Sequence, residues 1–546
     1  MPRLPTDALR PRRAISSREL RTRLLRATVP WAACLVLGCS GTIGDVDDTP
    51  RDPSRPDGPG GTTGTIDVPR RLLLLEPRHF ARSVEDVLEL APGSVPAPES
   101  GGGVTTALYA GGTDRMTGGL ALEVQEIVEA ASQRAAEAMA CEATECVEAI
   151  VLGRARRAFR RALEPEERDG LLAIVDEGTR EEGSPRAGAR WAFETILQSP
   201  SFLYRRELGS MEREGFALDP YETATWLGYF LRDAGPDEEL LAAAAEGRLE
   251  SEADVRRQVD RLLEDDRVRE NVAETYLRLF DLPRLAAATR TDPALTDALR
   301  ESMRMETVRF VDRVLWRGSR TLGELLTSST TEIDGALAEH YGLPRHEGVI
   351  EVDLGPERSG FLTHASWLTG HADVEDTSVV HRGIFVSRHL LCLEIPPPPA
   401  GVLEDAADAL AALDSERARA EYRMDSEVCG SCHAGIDPFG LAFEGFDELG
   451  RTQVRDTTTT IAAPPTLAGA AEGARELATR LAESQEVADC VASQIAGAAL
   501  GRALEARERH VLARELRDVW TSDDLVALVR ALAELPSLRR RVEVEP

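Results

Sequence analysis

The chain has 546 residues, with 64 basic against 94 acidic side chains, a net charge of −30 and 8 cysteines. No lysine occurs, so every basic residue is arginine; a Walker A lysine, a Schiff-base lysine and a lysine general base are all excluded. The acid excess argues against a nucleic-acid partner, which needs a basic footprint to release counterions. A hydrophobic content of 42% over this length places the chain among multi-domain globular proteins, with about three to five domains.

Residues 1–26 carry eight arginines against Asp7 and Glu19, and the apolar run Ala27–Gly38 follows. A basic stretch, a short apolar core and a small residue at the cut describe a secretory signal over residues 1–38, not a membrane-spanning helix. The run ends Val36-Leu37-Gly38-Cys39, which resembles a bacterial lipobox with Cys39 as the acylated first residue of the mature chain. Residues 39–68 are dominated by Pro, Gly, Asp and Thr and read as a disordered tether between lipid and body.

Beyond the tether, apolar residues recur three or four apart, as in VEDVLEL and VQEIVEAASQRAAEAMA, and the fold class expected is all-α with minor short strands. VIEVDL at 349–354 is the best strand candidate. Glycine and proline breaks divide the chain into helical modules at 69–135, 136–214 and 215–345. A fourth module at 346–400 ends in the proline corner Pro396–Pro399. A further segment covers 401–462, and a C-terminal helical module covers 463–546. The run RARRAFRR at 154–161 is a basic stripe expected to pair within the molecule.

The cysteines carry the chemistry. With Cys34 in the signal and Cys39 in the lipobox, six remain, and export to an oxidising compartment requires them to be paired or liganded. Cys429-Gly-Ser-Cys432-His433 is a CxxCH motif, the spacing for covalent attachment of one haem c. Two thiols a turn apart add to the two porphyrin vinyl groups, and the adjoining His433 becomes the proximal iron ligand. The alternatives are a redox-active CxxC pair, which wants a βαβ context, and a zinc site, which wants a second pair of ligands. Of the other four cysteines, the pairing Cys141–Cys146 with Cys392–Cys490 is preferred to the two remaining connectivities. The first bridge demands a turn between its ends, and the second clips the proline corner to the C-terminal module.

The segment RMDSEVCGSCHAGIDPFGLAFEGFDELGRTQ resembles the haem-motif segment of the planctomycete-type cytochrome c proteins, CxxCHxxIDPxGFxxExFDxxGxxR. The matching residues are Ile436, Asp437, Pro438, Gly440, Glu444, Phe446, Asp447 and Gly450. Further segments resemble that family's modules in the family's order over roughly 69–540, among them RRLLLLEPRHFARSVEDVLEL, WAFETILQSPSFLYRREL, ETATWLGYFLRDAGPDEELLAAAAEGRL and RSGFLTHASWLTGHADVEDTSVVHRGIFVSRHLLCLEIPPPP. The resemblance implies an exported, haem-binding, electron-transferring protein. The family's histidine about six residues ahead of the motif is replaced here by the stretch Tyr422-Arg423-Met424.

No methionine follows His433, so the downstream Met ligand of small electron-transfer cytochromes is missing. Candidates for a sixth iron ligand are Met424, His364, His371, His381 and His389, with His510 beyond the motif, and an open sixth position is the other option. The reading is a lipid-anchored c-type cytochrome-like protein with one haem c, located on the periplasmic or cell-surface face of the outer membrane. It would transfer one electron at a time to a redox partner that the sequence does not identify; an acidic surface favours cationic ones. The alternatives are a haem oxidase or peroxidase with an open iron site and a surface scaffold whose haem is structural or vestigial.

Overall fold

In the computed structural model, the described residues are 66–542 apart from 100–114, 213–214, 518 and 521–522. The signal, the lipobox Cys39 and the tether up to residue 65 lie outside them. The body is mainly α, with short strands in small antiparallel sheets. Among the described residues no helix is long and apolar enough to cross a membrane.

Strand β1 (Arg71–Leu74) leads into α1 (Pro77–Leu88), α2 (Gly118–Glu137), α3 (Thr144–Phe159), α4 (Pro165–Glu182) and α5 (Pro185–Leu197). Proline opens α1, α4 and α5, where its missing N–H has no intrahelical partner to lose and its φ is already helical. These helices share one core, in which Phe80, Val128, Val151, Val175, Phe193 and Phe202 meet. The basic stripe on α3 pairs inward, as its sequence suggested. Arg157 meets Glu89 at 3.0 Å, Arg161 meets Glu167 at 2.8 Å, and Arg160 donates to Tyr229 and to three backbone carbonyls.

Next come β2 (Tyr204–Glu207), β3 (Ser210–Glu212), β4 (Gly215–Ala217), α6 (Pro220–Leu227), α7 (Glu252–Leu263), α8 (Asp266–Leu279) and α9 (Asp297–Trp316). The Asp219–Glu222 capping box starts α6. Strands β5 (Thr330–Asp334) and β6 (Val349–Asp353) form the hairpin that holds the VIEVDL segment. They are followed by α10 (Ala365–Gly370), α11 (Val379–Phe385), α12 (Glu416–Asp425), the single turn α13 (Gly430–His433) and α14 (Asp437–Leu441). The hairpin β7 (Thr458–Ile461) and β8 (Gly469–Glu472), α15 (Gln485–Leu500), α16 (Leu525–Glu534) and β9 (Arg540–Arg541) complete the body.

The modules after residue 217 share a main core. Trp226, Tyr276, Phe310, Phe361, Phe385, Phe439, Val491 and Leu528 belong to one continuous apolar cluster, with two smaller clusters around Met303 and Ile333 and around Val379 and Leu441. The expected boundary at 135/136 falls inside α2, and those at 214/215 and 345/346 fall between paired strands. Ile66 and Val68, at the end of the stretch expected to form the tether, are buried in that same continuous cluster. There the Asp67 N–H donates to Glu508 and the Val68 carbonyl accepts from Val542, so the entry and exit of the body lie side by side.

Both expected disulfides form. Cys141–Cys146 closes the turn entering α3, and Cys392–Cys490 ties the proline corner to α15, leaving Cys429 and Cys432 free.

At the junction of β1, β2 and β9, the buried Glu207 carboxylate accepts from Arg71 Nε at 2.9 Å and Arg541 Nη2 at 2.8 Å, and it lies 3.0 Å from Arg205. Burial pushes the carboxyl up, but Arg541, Arg205 and Arg71 outweigh it and hold it at about 2. A depressed carboxyl stabilises the fold fully above its ordinary value of 4.5, and that contribution is lost as pH falls from there toward about 2. Glu207→Gln leaves three buried guanidiniums short of their counterion and is expected to cost about 3–5 kcal/mol at pH 7. The gap from wild type should narrow at pH 3. Chemical denaturation midpoints at the two pH values check this, and equal midpoints for the two proteins at pH 7 would contradict it.

Candidate functional site

The CxxCH turn sits between two helices that fix it independently of anything it binds. Ser415 caps α12 by accepting from the Ala418 N–H. Where α12 ends, Ser426 Oγ accepts from the N–H groups of Val428 and Cys429 at 3.3 and 3.2 Å, and its carbonyl takes the Gly430 N–H at 2.8 Å. The chain therefore turns directly into α13. The Cys429 carbonyl accepts from Cys432 N–H at 3.2 Å and His433 N–H at 3.0 Å, which places the two cysteines three residues apart on one helical turn. Both thiols are half-buried.

Beyond the motif, α14 lies against α11 backbone to backbone. A Cβ on Gly440 would stand 1.9 Å from the Val379 carbonyl oxygen, and one on Gly383 would stand 2.2 Å from that of Ile436. Only hydrogen fits at either position. Ser387 adds a hydrogen bond to the Gly435 carbonyl at 3.2 Å. The fully buried Arg382 of α11 reaches over to take the carbonyls of Phe443, Phe446 and Asp447 at 2.9, 3.0 and 2.9 Å. Burial pulls its guanidinium down to about 10, the opposing pull of Glu444 and Asp447 notwithstanding.

Asp437 opens α14 and is completely buried. One of its oxygens accepts from His433 Nδ1 at 2.8 Å and the other from Arg423 Nε at 2.8 Å. A carboxylate only accepts, so Nδ1 is the donor, and the neutral tautomer that fits this bond carries its lone pair on Nε2. Among the described residues Nε2 makes no hydrogen bond. His433 is about one-fifth exposed. Two free thiols and one unengaged imidazole nitrogen match two demands of a covalently held haem: two nucleophiles for the vinyl groups and one axial donor. Among the described residues no group of three or more His, Cys, Asp or Glu side chains is arranged to hold a metal ion directly.

The later motif residues brace the chain that follows α14. Glu444, also buried, accepts from Thr377 at 2.7 Å and Arg455 at 3.0 Å. Asp447 accepts from Arg451 Nε at 2.6 Å and from two backbone N–H groups, and Phe446 lies beneath the Arg358 guanidinium.

Of the sixth-ligand candidates, His371 and His389 both pack on Phe385, and the others lie in separate surroundings. Met424 belongs to α12, the helix against which the motif turn packs, and its side chain lies on Val379, Ala420 and Leu441. His364 Nδ1 is 2.9 Å from Thr307 Oγ1, and burial pushes its imidazole down to about 3. Both ring nitrogens of His371 are engaged: Nδ1 donates to the Trp367 carbonyl at 2.9 Å, and Nε2 lies 3.3 Å from Asp281. His381 Nδ1 is 3.3 Å from Asp373, and His389 stacks on Phe385 in the groove beside Cys392. His510 Nδ1 donates to the Ala506 carbonyl of its own helix.

Two features had no signal in the sequence. The pairing of Arg423 with Asp437 joins residues fourteen apart across the motif, and the chain's many acids and arginines hide it. Glu306, fully buried on α9, is pushed up to about 7 by that burial, while the Tyr341 hydroxyl donates to it at 2.5 Å.

The helix contact gives a direct test. Gly440→Ala drives a methyl into a carbonyl and should fall at the upper end of the about 1–3 kcal/mol typical of overpacking. A Cβ on Gly435 would meet only the Cys432 carbonyl oxygen at 3.6 Å, so Gly435→Ala should be near neutral. Thermal unfolding of the two variants separates them, and equal losses would contradict the contact.

Three protein-family models match the chain, each described as a protein of unknown function: PSD5 (DUF1595) over residues 146–207, PSD4 (DUF1592) over 218–343 and PSCyt3 (DUF1588) over 358–456. The last contains the CxxCH turn. No curated protein and no solved structure matches it.

Proposed function

From the planctomycete cytochrome c multi-domain family, to which this chain belongs, we propose that the protein is an exported c-type cytochrome with one covalent haem, transferring single electrons at the cell envelope. The observation that carries this reading is the donor set on one turn: Cys429 and Cys432 with free thiols, and His433 with Nδ1 bonded to Asp437 and Nε2 unengaged. Cys429 and Cys432 would hold the porphyrin through thioether bonds, and His433 Nε2 would ligate the iron. The haem supplies a one-electron couple between ferric and ferrous iron. The chain's own residues hold the donors in register: Ser426 caps the turn, Gly440 and Gly383 seat it on α11, and Asp437 orients the imidazole. Acylation of Cys39 would tether the body to the outer membrane. The excess of acidic residues favours a redox partner with a cationic docking face.

The test is an optical spectrum of the mature protein produced in a haem-attaching host, with a pyridine haemochrome assay and a Cys429→Ala, Cys432→Ala variant alongside. The expected result is one covalent haem with sharp low-spin bands on reduction, absent from the double variant. A high-spin spectrum that shifts with peroxide or cyanide would replace electron transfer by oxidase or peroxidase chemistry. Absence of covalent haem from the wild type would overturn the reading.

A further inference from the structure

The acceptor of the His433 Nδ1–H is both charged and fully buried. A histidine on a short turn can satisfy Nδ1–H with a nearby backbone carbonyl, as His371 and His510 do here. His433 instead donates at 2.8 Å to a side-chain carboxylate with no solvent exposure. That carboxylate cannot swing away. Its other oxygen is held at 2.8 Å by Arg423 Nε, Pro438 follows it in the first turn of α14, and α14 is pinned on α11 by Gly440 and Gly383. Arg423 is itself 8% exposed, so the interaction lies in a low-dielectric setting where it is felt strongly.

We infer that Asp437 is a positioning residue for the iron ligand: it holds His433 with Nε2 presented and, by drawing on the Nδ1–H, makes the imidazole a stronger donor. A carboxylate behind a metal-bound histidine fixes its tautomer and raises its basicity. A more basic axial ligand favours the ferric over the ferrous state, so the haem has a lower reduction potential than a neutral acceptor would give it. The site is therefore built to pass an electron onward more readily than to withdraw one from a weak donor. This inference rests on the haem reading above.

The test compares wild type, Asp437→Asn and Asp437→Glu as full mature chains, scoring covalent haem by pyridine haemochrome and midpoint potential by spectroelectrochemistry. The expected result is that Asp437→Asn keeps its covalent haem, because both thiols remain, and shifts the midpoint upward, while Asp437→Glu returns it toward wild type. An unchanged or lowered midpoint in Asp437→Asn overturns the inference and leaves the haem reading intact. A wild type without covalent haem overturns both.

Should Asp437→Asn fail to fold, the wild type alone decides. In ¹⁵N-histidine-labelled ferrous protein, kept diamagnetic with carbon monoxide if its iron is high-spin, the His433 Nδ1 should carry a slowly exchanging proton. A bare or freely exchanging Nδ1 overturns the inference.

Discussion

The arrangement of the site depends on one buried carboxylate. Asp437 has no contact with water, and an isolated charge there would be prohibitively costly. It is tolerated because each oxygen has a hydrogen-bonding partner, His433 on one side and Arg423 on the other. Those partners lie on different elements, the motif turn α13 and the preceding helix α12, while Asp437 itself opens α14. Satisfying one charge therefore brings three consecutive segments into register. The glycine contact with α11 then couples that assembly to the rest of the body.

The same device recurs at the far seam. Glu207 draws together strands from the start, middle and end of the body through Arg71, Arg205 and Arg541. In a chain without lysine, several buried acids, Glu207, Asp437 and Glu444 among them, are matched by guanidiniums, whose planar fork can also reach several carbonyls at once, as Arg382 and Arg160 do. One apolar cluster runs unbroken through residues of four of the expected modules. The modules are thus sequence units that fold onto a common core, and the Cys392–Cys490 bridge spans the stretch that contains the CxxCH turn.

Much of this was legible in the sequence, because periodicity, caps and cysteine spacing are local signals. The long helices, the VIEVDL strand, the inward-pairing arginines of 154–161 and both disulfides were visible that way. Long-range consequences were not. Residues 66–68 sit in a stretch whose composition reads as linker, and only the partners of Asp67 and Val68, Glu508 and Val542, more than four hundred residues away, reveal it as structural. Glu444, Phe446 and Asp447 stood out as motif residues, yet it took the fold to show that they tie the chain after α14 to Thr377, Arg358 and Arg451. The partners of His371 lie on α10 and beside α8, and the burial of Glu306 against Tyr341 depends on packing between α9 and the chain after β5. No spacing rule encodes such contacts.

The central claim is that the two thiols of α13 carry the cofactor. Trypsin cuts after Arg423 and next after Arg451, so a single peptide, Met424–Arg451, holds Cys429, Cys432 and His433. Mass spectrometry of that peptide from the mature protein should find it heavier by the mass of one haem. Recovery at its unmodified mass, or at the mass of an internal disulfide, would contradict the account.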